Sequence, residues 1–159
     1  MPNETQTLEK LDLRVGQIMT PNPLTIDLNS DVEKAARGME KCDCGCCLVE
    51  SRGKIVGIIT ERDIVRRVAA KGSSLRKTKV KSMMSTPIVV VAPDATIEEA
   101  LKAMADNKIK RLAVVDDKGL RGIISITDIA KALAEKTGYT SSLLNALARE
   151  SRPPEGLYV

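Results

Sequence analysis

All four cysteines of the chain fall within Lys41 to Glu50, in the run KCDCGCCLVE. Thiolates at that density can bind Zn or Cu(I), or oxidise. Structural zinc sites usually draw paired ligands from two separated segments, and this sequence has neither a histidine nor a second cysteine-bearing segment. Cysteines so close together cannot staple distant parts of a fold, so no disulfide framework is expected.

A second chemically capable set is hydroxyl and carboxylate. Thr60 and Asp63 recur as Ser125 and Asp128, with Thr127 beside the latter. Asp63 and Asp128 can each accept two hydrogen bonds, which suits the paired 2′ and 3′ hydroxyls of a ribose. Thr60, Ser125 and Thr127 offer hydroxyls to a sugar or phosphate. The same spacing also makes helix caps that bind nothing. Arg111, preceded by Lys110, carries a planar fork of donors suited to phosphate. In the matching stretch of the first copy stand Gly45 and Cys46, where Arg62 could substitute.

Composition closes several routes. With no His, Trp or Phe and two Tyr, histidine-dependent catalysis and aromatic platforms for single-stranded nucleic acid are largely excluded. No P-loop, dinucleotide fingerprint or zinc-hydrolase motif occurs, so no enzyme is expected. A net charge of +4 with 29% charged residues gives a mild preference for anions. Acidic residues are interspersed throughout, which falls short of the basic stripe of a nucleic-acid binder. The start, MPNETQTLEK, has no secretory or transit layout and no apolar run reaches transmembrane length, so a cytoplasmic location and no membrane contact are expected.

The elements that must position these residues come in a duplicate. Residues 15–70 laid over 80–135 at an offset of 65 match Met19 with Met84, Glu33 with Glu98, Ala35 with Ala100, Met39 with Met104 and Val49 with Val114. Gly57-Ile58-Ile59 meets Gly122-Ile123-Ile124, and both copies continue to Asp-Ile. A one-residue slip aligns Pro23 with Pro87. Each copy opens on a strand after a proline, Leu24 to Ile26 or Ile88 to Val91. A helix follows, introduced by the capping-box patterns Ser30 to Glu33 and Thr96 to Glu99. Its apolar stripe is Val32, Ala35, Ala36, Met39 in one copy and Ile97, Ala100, Leu101, Met104 in the other. Two strands joined by a polar turn come next, Cys47 to Val49 with Ile55 to Ile59, and Leu112 to Val115 with Leu120 to Ile124. A second helix begins near Asp63 and near Asp128, giving βαββα twice. The repeat register puts Cys44 and Cys47 on the apolar positions of Ile109 and Leu112, where cysteine acts as a small hydrophobe. On this reading two cysteines pack in the core and two lie nearer its edge, at the helix-to-strand entry into a cleft.

GIITERDI (57–64) and GIISITDI (122–129), with the openings IMTPNPLTI and MMSTPIVVV, resemble the tandem cystathionine-β-synthase (CBS) domain pair, or Bateman module. The resemblance implies an α/β fold of α+β type, two βαββα units packed with pseudo-twofold symmetry plus an accessory C-terminal helix. The implied domains are an arm over 1–13, repeats over 14–70 and 80–136, a solvated basic linker over 71–79, and a helix with tail over 137–159. It implies a stand-alone, non-catalytic sensor, usually a homodimer, with clefts for AMP, ADP, ATP or a related adenosyl compound, signalling to a regulated protein of unknown identity. Carried onto this sequence, the binding residues are Thr20, Asn22, Pro23, Leu24, Ile26, Cys46, Ile58, Thr60, Arg62 and Asp63 from the first copy. From the second they are Ser85, Pro87, Val89, Val90, Lys110, Arg111, Ile123, Ser125, Thr127 and Asp128. Leu24, Ile26, Ile58, Val89, Val90 and Ile123 would sandwich an adenine. Arg111 makes the second copy's cleft the one expected to hold a phosphate tail. The alternatives are a metal-binding or redox-responsive cysteine cluster on the same scaffold, and a nucleic-acid adaptor.

Overall fold

The computed structural model describes residues 12–137. The N-terminal arm up to residue 11 and the helix expected around Leu143 to Leu147 lie outside the described residues.

Each copy begins with one turn of helix, α1 (Val15–Ile18) and α4 (Val80–Met83). The first copy continues through β1 (Thr20–Pro21), β2 (Thr25–Asp27), α2 (Val32–Cys42), β3 (Cys46–Ser51) and β4 (Lys54–Thr60). It closes on α3, a helix of changing pitch: α-helical at Glu61–Asp63, π-helical at Ile64–Val68 and 3-10 at Ala69–Lys71. The second copy continues through β5 (Val90–Val91), α5 (Ile97–Asn107), β6 (Arg111–Asp116), β7 (Gly119–Ser125) and α6 (Ile126–Thr137). The βαββα order holds, with the opening helical turn added in both copies.

The long helices start and stop for local reasons. In α5, Thr96 Oγ1 accepts from Glu99 N at 3.1 Å and Glu99 Oε2 accepts from Thr96 N at 2.8 Å, a full capping box. In α2 the cap is Asp31, whose Oδ1 accepts from Lys34 N at 2.8 Å, and not the box expected from Ser30. Ser30 belongs to the preceding turn: its N–H bonds Asp27 O at 3.0 Å and its carbonyl accepts from Val80 N at 2.9 Å. Both helices end on a left-handed residue with the same φ of 53° and ψ of 42°, Asp43 in α2 and Lys108 in α5. Such a turn reverses the chain into the following strand.

Sheet topology shows how the copies join. β2, β3 and β4 form a three-stranded sheet, while β7, β6 and β5 form a sheet that takes β1, from the first copy, on its far edge. Thr20 pairs with Ile123, and the equivalent bridge joins Ser85 to Ile58. The opening helices are exchanged in the same way. Val15 N and Gly16 N bond Ala95 O and Pro93 O at 3.0 and 2.7 Å; Val80 N and Lys81 N bond Ser30 O and Leu28 O at 2.9 and 3.0 Å. Every one of these contacts maps onto its counterpart by the 65-residue shift, so the copies are related by a pseudo-twofold. The offset also holds through the openings. Thr25 pairs with Leu48 as Val90 pairs with Ala113, which corrects the one-residue slip: Pro23 corresponds to Ile88, and Pro87 to Asn22.

Exchange is also written in the cores. Val80 is fully buried with Ile26, Val32, Ala35, Met39, Cys47, Val49, Ile59 and Val68 of the first copy. Val15 is fully buried among Ile97, Ala100, Met104, Leu112, Val114, Ile124 and Ile129 of the second. Burying an aliphatic side chain of this size stabilises by about 1.5–3 kcal/mol, so each opening turn is anchored in the other repeat's interior. Gly57 and Gly122 make the crossing possible: a Cβ would come within 2.8 Å of Ser85 O at the one and 2.7 Å of Thr20 O at the other.

The basic connector departs from the solvated linker expected of it. Leu75 O and Thr78 O accept from Glu33 N and Val32 N at 3.2 and 2.9 Å, satisfying donors in the first turn of α2. Arg76 Nε reaches Glu33 Oε2 at 2.8 Å while Arg37 Nη2 holds Oε1 at 2.9 Å. Hydrogen bonds from Arg37 and Arg76 hold the Glu33 carboxyl below its ordinary pKa. Leu75 packs against the first core.

Candidate functional site

Two pseudo-symmetric cavities lie at the seam between the copies, each drawing on both, and a more open depression of about 840 Å³ between α2, α3 and Arg111 adjoins them. The larger of the two cavities, about 430 Å³, is lined on one side by Ile58, Thr60, Glu61, Arg62 and Asp63 from the first copy. Its other side is Ser85, Pro87, Ile88 and Val89 with Lys108 to Arg111 from the second, and Gly45 completes the wall. Arg111 and Lys110 thus share a cavity with the Thr60-to-Asp63 turn of the other copy, while along the sheet Arg111 pairs with Ser125. Sorting the clefts by repeat is corrected here, because the crossing openings carry Ser85 to Val89 onto the first copy's strand end.

The second cavity, about 260 Å³, is the pseudo-symmetric counterpart. Thr20, Asn22, Pro23 and Leu24 form one side, Cys42, Cys44, Cys46 and Leu48 another, and Ile123 a third. Cys46 stands where Arg111 stands in the first, and no Lys or Arg is among these lining residues.

The capping role of the hydroxyl-carboxylate pairs is realised in both copies. Thr60 N and Oγ1 both donate to Asp63 Oδ2 at 2.9 Å, and Asp63 N returns a 3.2 Å bond to Thr60 Oγ1. Ser125 N and Oγ donate to Asp128 Oδ2 at 2.8 and 2.7 Å, with Asp128 N to Ser125 Oγ at 3.2 Å. The remaining oxygen, Asp63 Oδ1, faces Arg67 Nε at 3.5 Å. Arg67 in turn donates to Met83 O at 2.8 Å, so the turn at Asp63 is tied to the last residue of α4.

Several expected binding residues lie elsewhere. Ile26 is buried in the first core and lines neither cavity. Val90 is half exposed on β5 and lines neither cavity. Ser125, Thr127 and Asp128 line neither of these two cavities.

The cysteines divide differently from expectation. Cys47 is fully buried, its Sγ 3.8 Å from Ala35 O, and burial pushes its thiol up to about 12. Cys46 is free and half-buried, and burial raises its pKa in spite of the nearby Arg111. Cys44, expected as a hydrophobic filler, is half-buried and disulfide-bonded to Cys42. The left-handed residue between them brings the two Cα atoms to 5.3 Å, inside the range a disulfide needs. Among the described residues no group of three or more Cys, Asp or Glu is arranged to hold a metal ion.

The profile of the CBS domain matches residues 15–70 and again 80–135. The chain belongs to the CBS-domain family. A CBS-domain pair is a regulatory module, and this pair has the family's paired repeats. The CBS domain-containing protein YhcV of Bacillus subtilis is 33% identical over 131 residues, covering 82% of this chain and 93% of YhcV. The solved CBS domain pair of MJ0100, in complex with 5′-methylthioadenosine and S-adenosyl-L-methionine, superposes with a TM-score of 0.70 at 25% identity, over 78% of this chain and 98% of that one. A hexameric CBS-CP12 protein from bloom-forming cyanobacteria does so with a TM-score of 0.68 at 30% identity, over 88% and 99%. No helix among the described residues is long and apolar enough to cross a membrane.

Reading the sequence repeat by repeat missed Gly45, Glu61, Ile88, Lys108 and Ile109 in the larger cleft of the CBS pair, and Cys42, Cys44 and Leu48 in the smaller. The signal was the register itself. Residues 43–46 and 108–111 are equivalent, so a role for one stretch assigns a role to the other.

Proposed function

We propose that this CBS pair is an adenosyl-ligand sensor: AMP, ADP, ATP or a related compound binds at the seam, and its occupancy is read by a partner protein, with the chain acting as a homodimer. The observation that carries this reading is the composition of the 430 Å³ cleft. Aliphatic walls from Ile58, Ile88 and Val89 stand beside a hydroxyl-carboxylate turn at Thr60 and Asp63 and a cationic rim at Lys110 and Arg111. An adenine needs the first, a ribose the second and a phosphate tail the third. The adenosyl ligands of the MJ0100 pair support the same ligand class.

The smaller cavity suits a different member of that class. Its lining has thioether-compatible sulfur and aliphatic groups and no cation. Phosphorylated adenosines belong to the Arg111 cleft, and an uncharged adenosyl thioether to the cysteine-lined one. Because each cavity is built from both repeats, a ligand that draws its walls together favours one arrangement of the pair, which is what a partner would read.

Titration calorimetry of the chain with AMP, ATP, S-adenosylmethionine and 5′-methylthioadenosine tests this. Saturable binding of at least one is expected; no binding by any at millimolar concentration sinks the sensor reading.

A further inference from the structure

The run KCDCGCCLVE contributes only Gly45 to the 430 Å³ cleft, whereas Cys42, Cys44 and Cys46 line the other cavity. We propose that Cys42 and Cys44 form a reversible dithiol–disulfide pair that tunes ligand occupancy of the 260 Å³ cavity. The tuning rests on the adenosyl reading of that cavity; the redox pair itself does not.

The backbone accommodates the pair with or without the bond. The turn that brings the two residues together is held by backbone bonds, Asp43 N to Glu40 O at 3.2 Å and Cys44 N to Met39 O at 3.0 Å. The second copy makes the same turn with Asn107 and Ile109, through Lys108 N to Ala105 O at 3.1 Å and Ile109 N to Met104 O at 3.0 Å, and identical dihedral angles. The turn therefore needs no disulfide to form. Carbonyl oxygens lie near both sulfurs, Met39 O at 3.5 Å from Cys42 Sγ and Cys46 O at 3.6 Å from Cys44 Sγ.

The chemistry selects this pair over the other two cysteines. Cys42 is exposed at the end of α2, where a low-molecular-weight disulfide can reach it. Cys47 is fully buried, and burial disfavours the thiolate of both Cys46 and Cys47. Oxidation proceeds by thiolate attack of Cys42 on a small disulfide RSSR, releasing one RSH, and then by attack of Cys44 on the mixed disulfide, releasing a second. Two protein S–H bonds are replaced by one S–S bond, and RSSR is reduced to two RSH.

Both sulfurs belong to the wall of the cavity. With the backbone turn fixed, reduction must be taken up by the side chains, because two unbonded sulfurs stand farther apart than a bonded pair. The lining of the cavity is reshaped, so ligand affinity differs between the oxidised and the reduced chain.

The chain is equilibrated with oxidised or reduced glutathione, its thiols counted after denaturation and its disulfides mapped. Four thiols are expected in the reduced state and two in the oxidised, with the link mapped to Cys42 and Cys44. Four in both states, or a link to Cys46 or Cys47, overturns the pair. Calorimetry with 5′-methylthioadenosine should then show at least a five-fold difference in Kd between the oxidised and the reduced chain, and no redox dependence in Cys44→Ser. Equal Kd in both states of the unaltered chain overturns the tuning and leaves the adenosyl reading standing. Binding in neither state overturns the adenosyl reading and the tuning with it, and the thiol count tells that result apart from a failed redox pair.

Discussion

Arg111 lies beside Gly45: a Cβ on that glycine would stand 3.5 Å from Arg111 Nη2 and 3.6 Å from Glu61 Oε2. The guanidinium of one repeat therefore covers the backbone that enters the equivalent strand of the other. Arg111 and Cys46 hold the same place in the two copies, so the pseudo-twofold sets a cation opposite a thiol. Two cavities of one architecture thereby acquire different chemistry.

Replacing Arg111 by alanine should weaken ATP or AMP binding about tenfold, the loss expected for one charge-assisted contact to phosphate of about 1.4 kcal/mol. Adenosine, lacking the phosphate, should bind the variant as it binds the parent chain. Calorimetry with both ligands separates the cases, since an equal loss for adenosine would mean that the substitution had disturbed the cleft itself.

Gly57→Ala and Gly122→Ala should each destabilise the fold by about 2–3 kcal/mol. The added methyl would press on Ser85 O and Met84 Sδ, both at 2.8 Å, in the first case. In the second it would meet Thr20 O at 2.7 Å and Met19 Sδ at 2.8 Å. Backbone carbonyls cannot swing aside as a side chain can. Urea denaturation of both variants measures the effect, and near-parental midpoints would show that the crossing segments yield.

Cap assignments separate neighbouring residues. Asp31→Ala and Thr96→Ala should each cost about 1 kcal/mol, because each removes the side-chain acceptor of a helix N-terminus. Ser30→Ala should stay within about 0.5 kcal/mol, since only the backbone of Ser30 is engaged there. Chemical denaturation of the three variants ranks them.

Stability should decline in alkali through Cys47. Its thiol is raised to about 12 in the folded chain, against about 8.5 when exposed by unfolding. A raised folded pKa means that its contribution is complete below about pH 8.5 and is lost as pH climbs toward 12, with a limiting slope of about 1.4 kcal/mol per pH unit. Denaturation midpoints between pH 8 and 10, compared with those of Cys47→Ala, read it. A parallel pH dependence in the two chains would assign the decline to other groups.

The local code was legible in the sequence because it is local. Apolar stripes on α2 and α5, the capping box at Thr96 and the glycine-bearing strands at Gly57 and Gly122 depend on neighbours a few residues apart. The 65-residue register followed from side-chain identity alone, and the family resemblance rested on it. What tertiary structure decided was partnership between copies. Nothing in the spacing of Val15 or Val80 says that each is buried in the other repeat, or that Arg111 shares a cavity with Thr60 and Asp63 of the other copy. The competing arrangement, each opening folded back on its own repeat, has the same hydrophobic pattern. Strand pairing of Thr20 with Ile123 and of Ser85 with Ile58 selects between them, over separations at which side-chain periodicity carries no information. The cysteines show the same division. Sequence placed them at a helix-to-strand entry, and only the left-handed turn at Asp43 joined Cys42 to Cys44 and aimed both at a cavity.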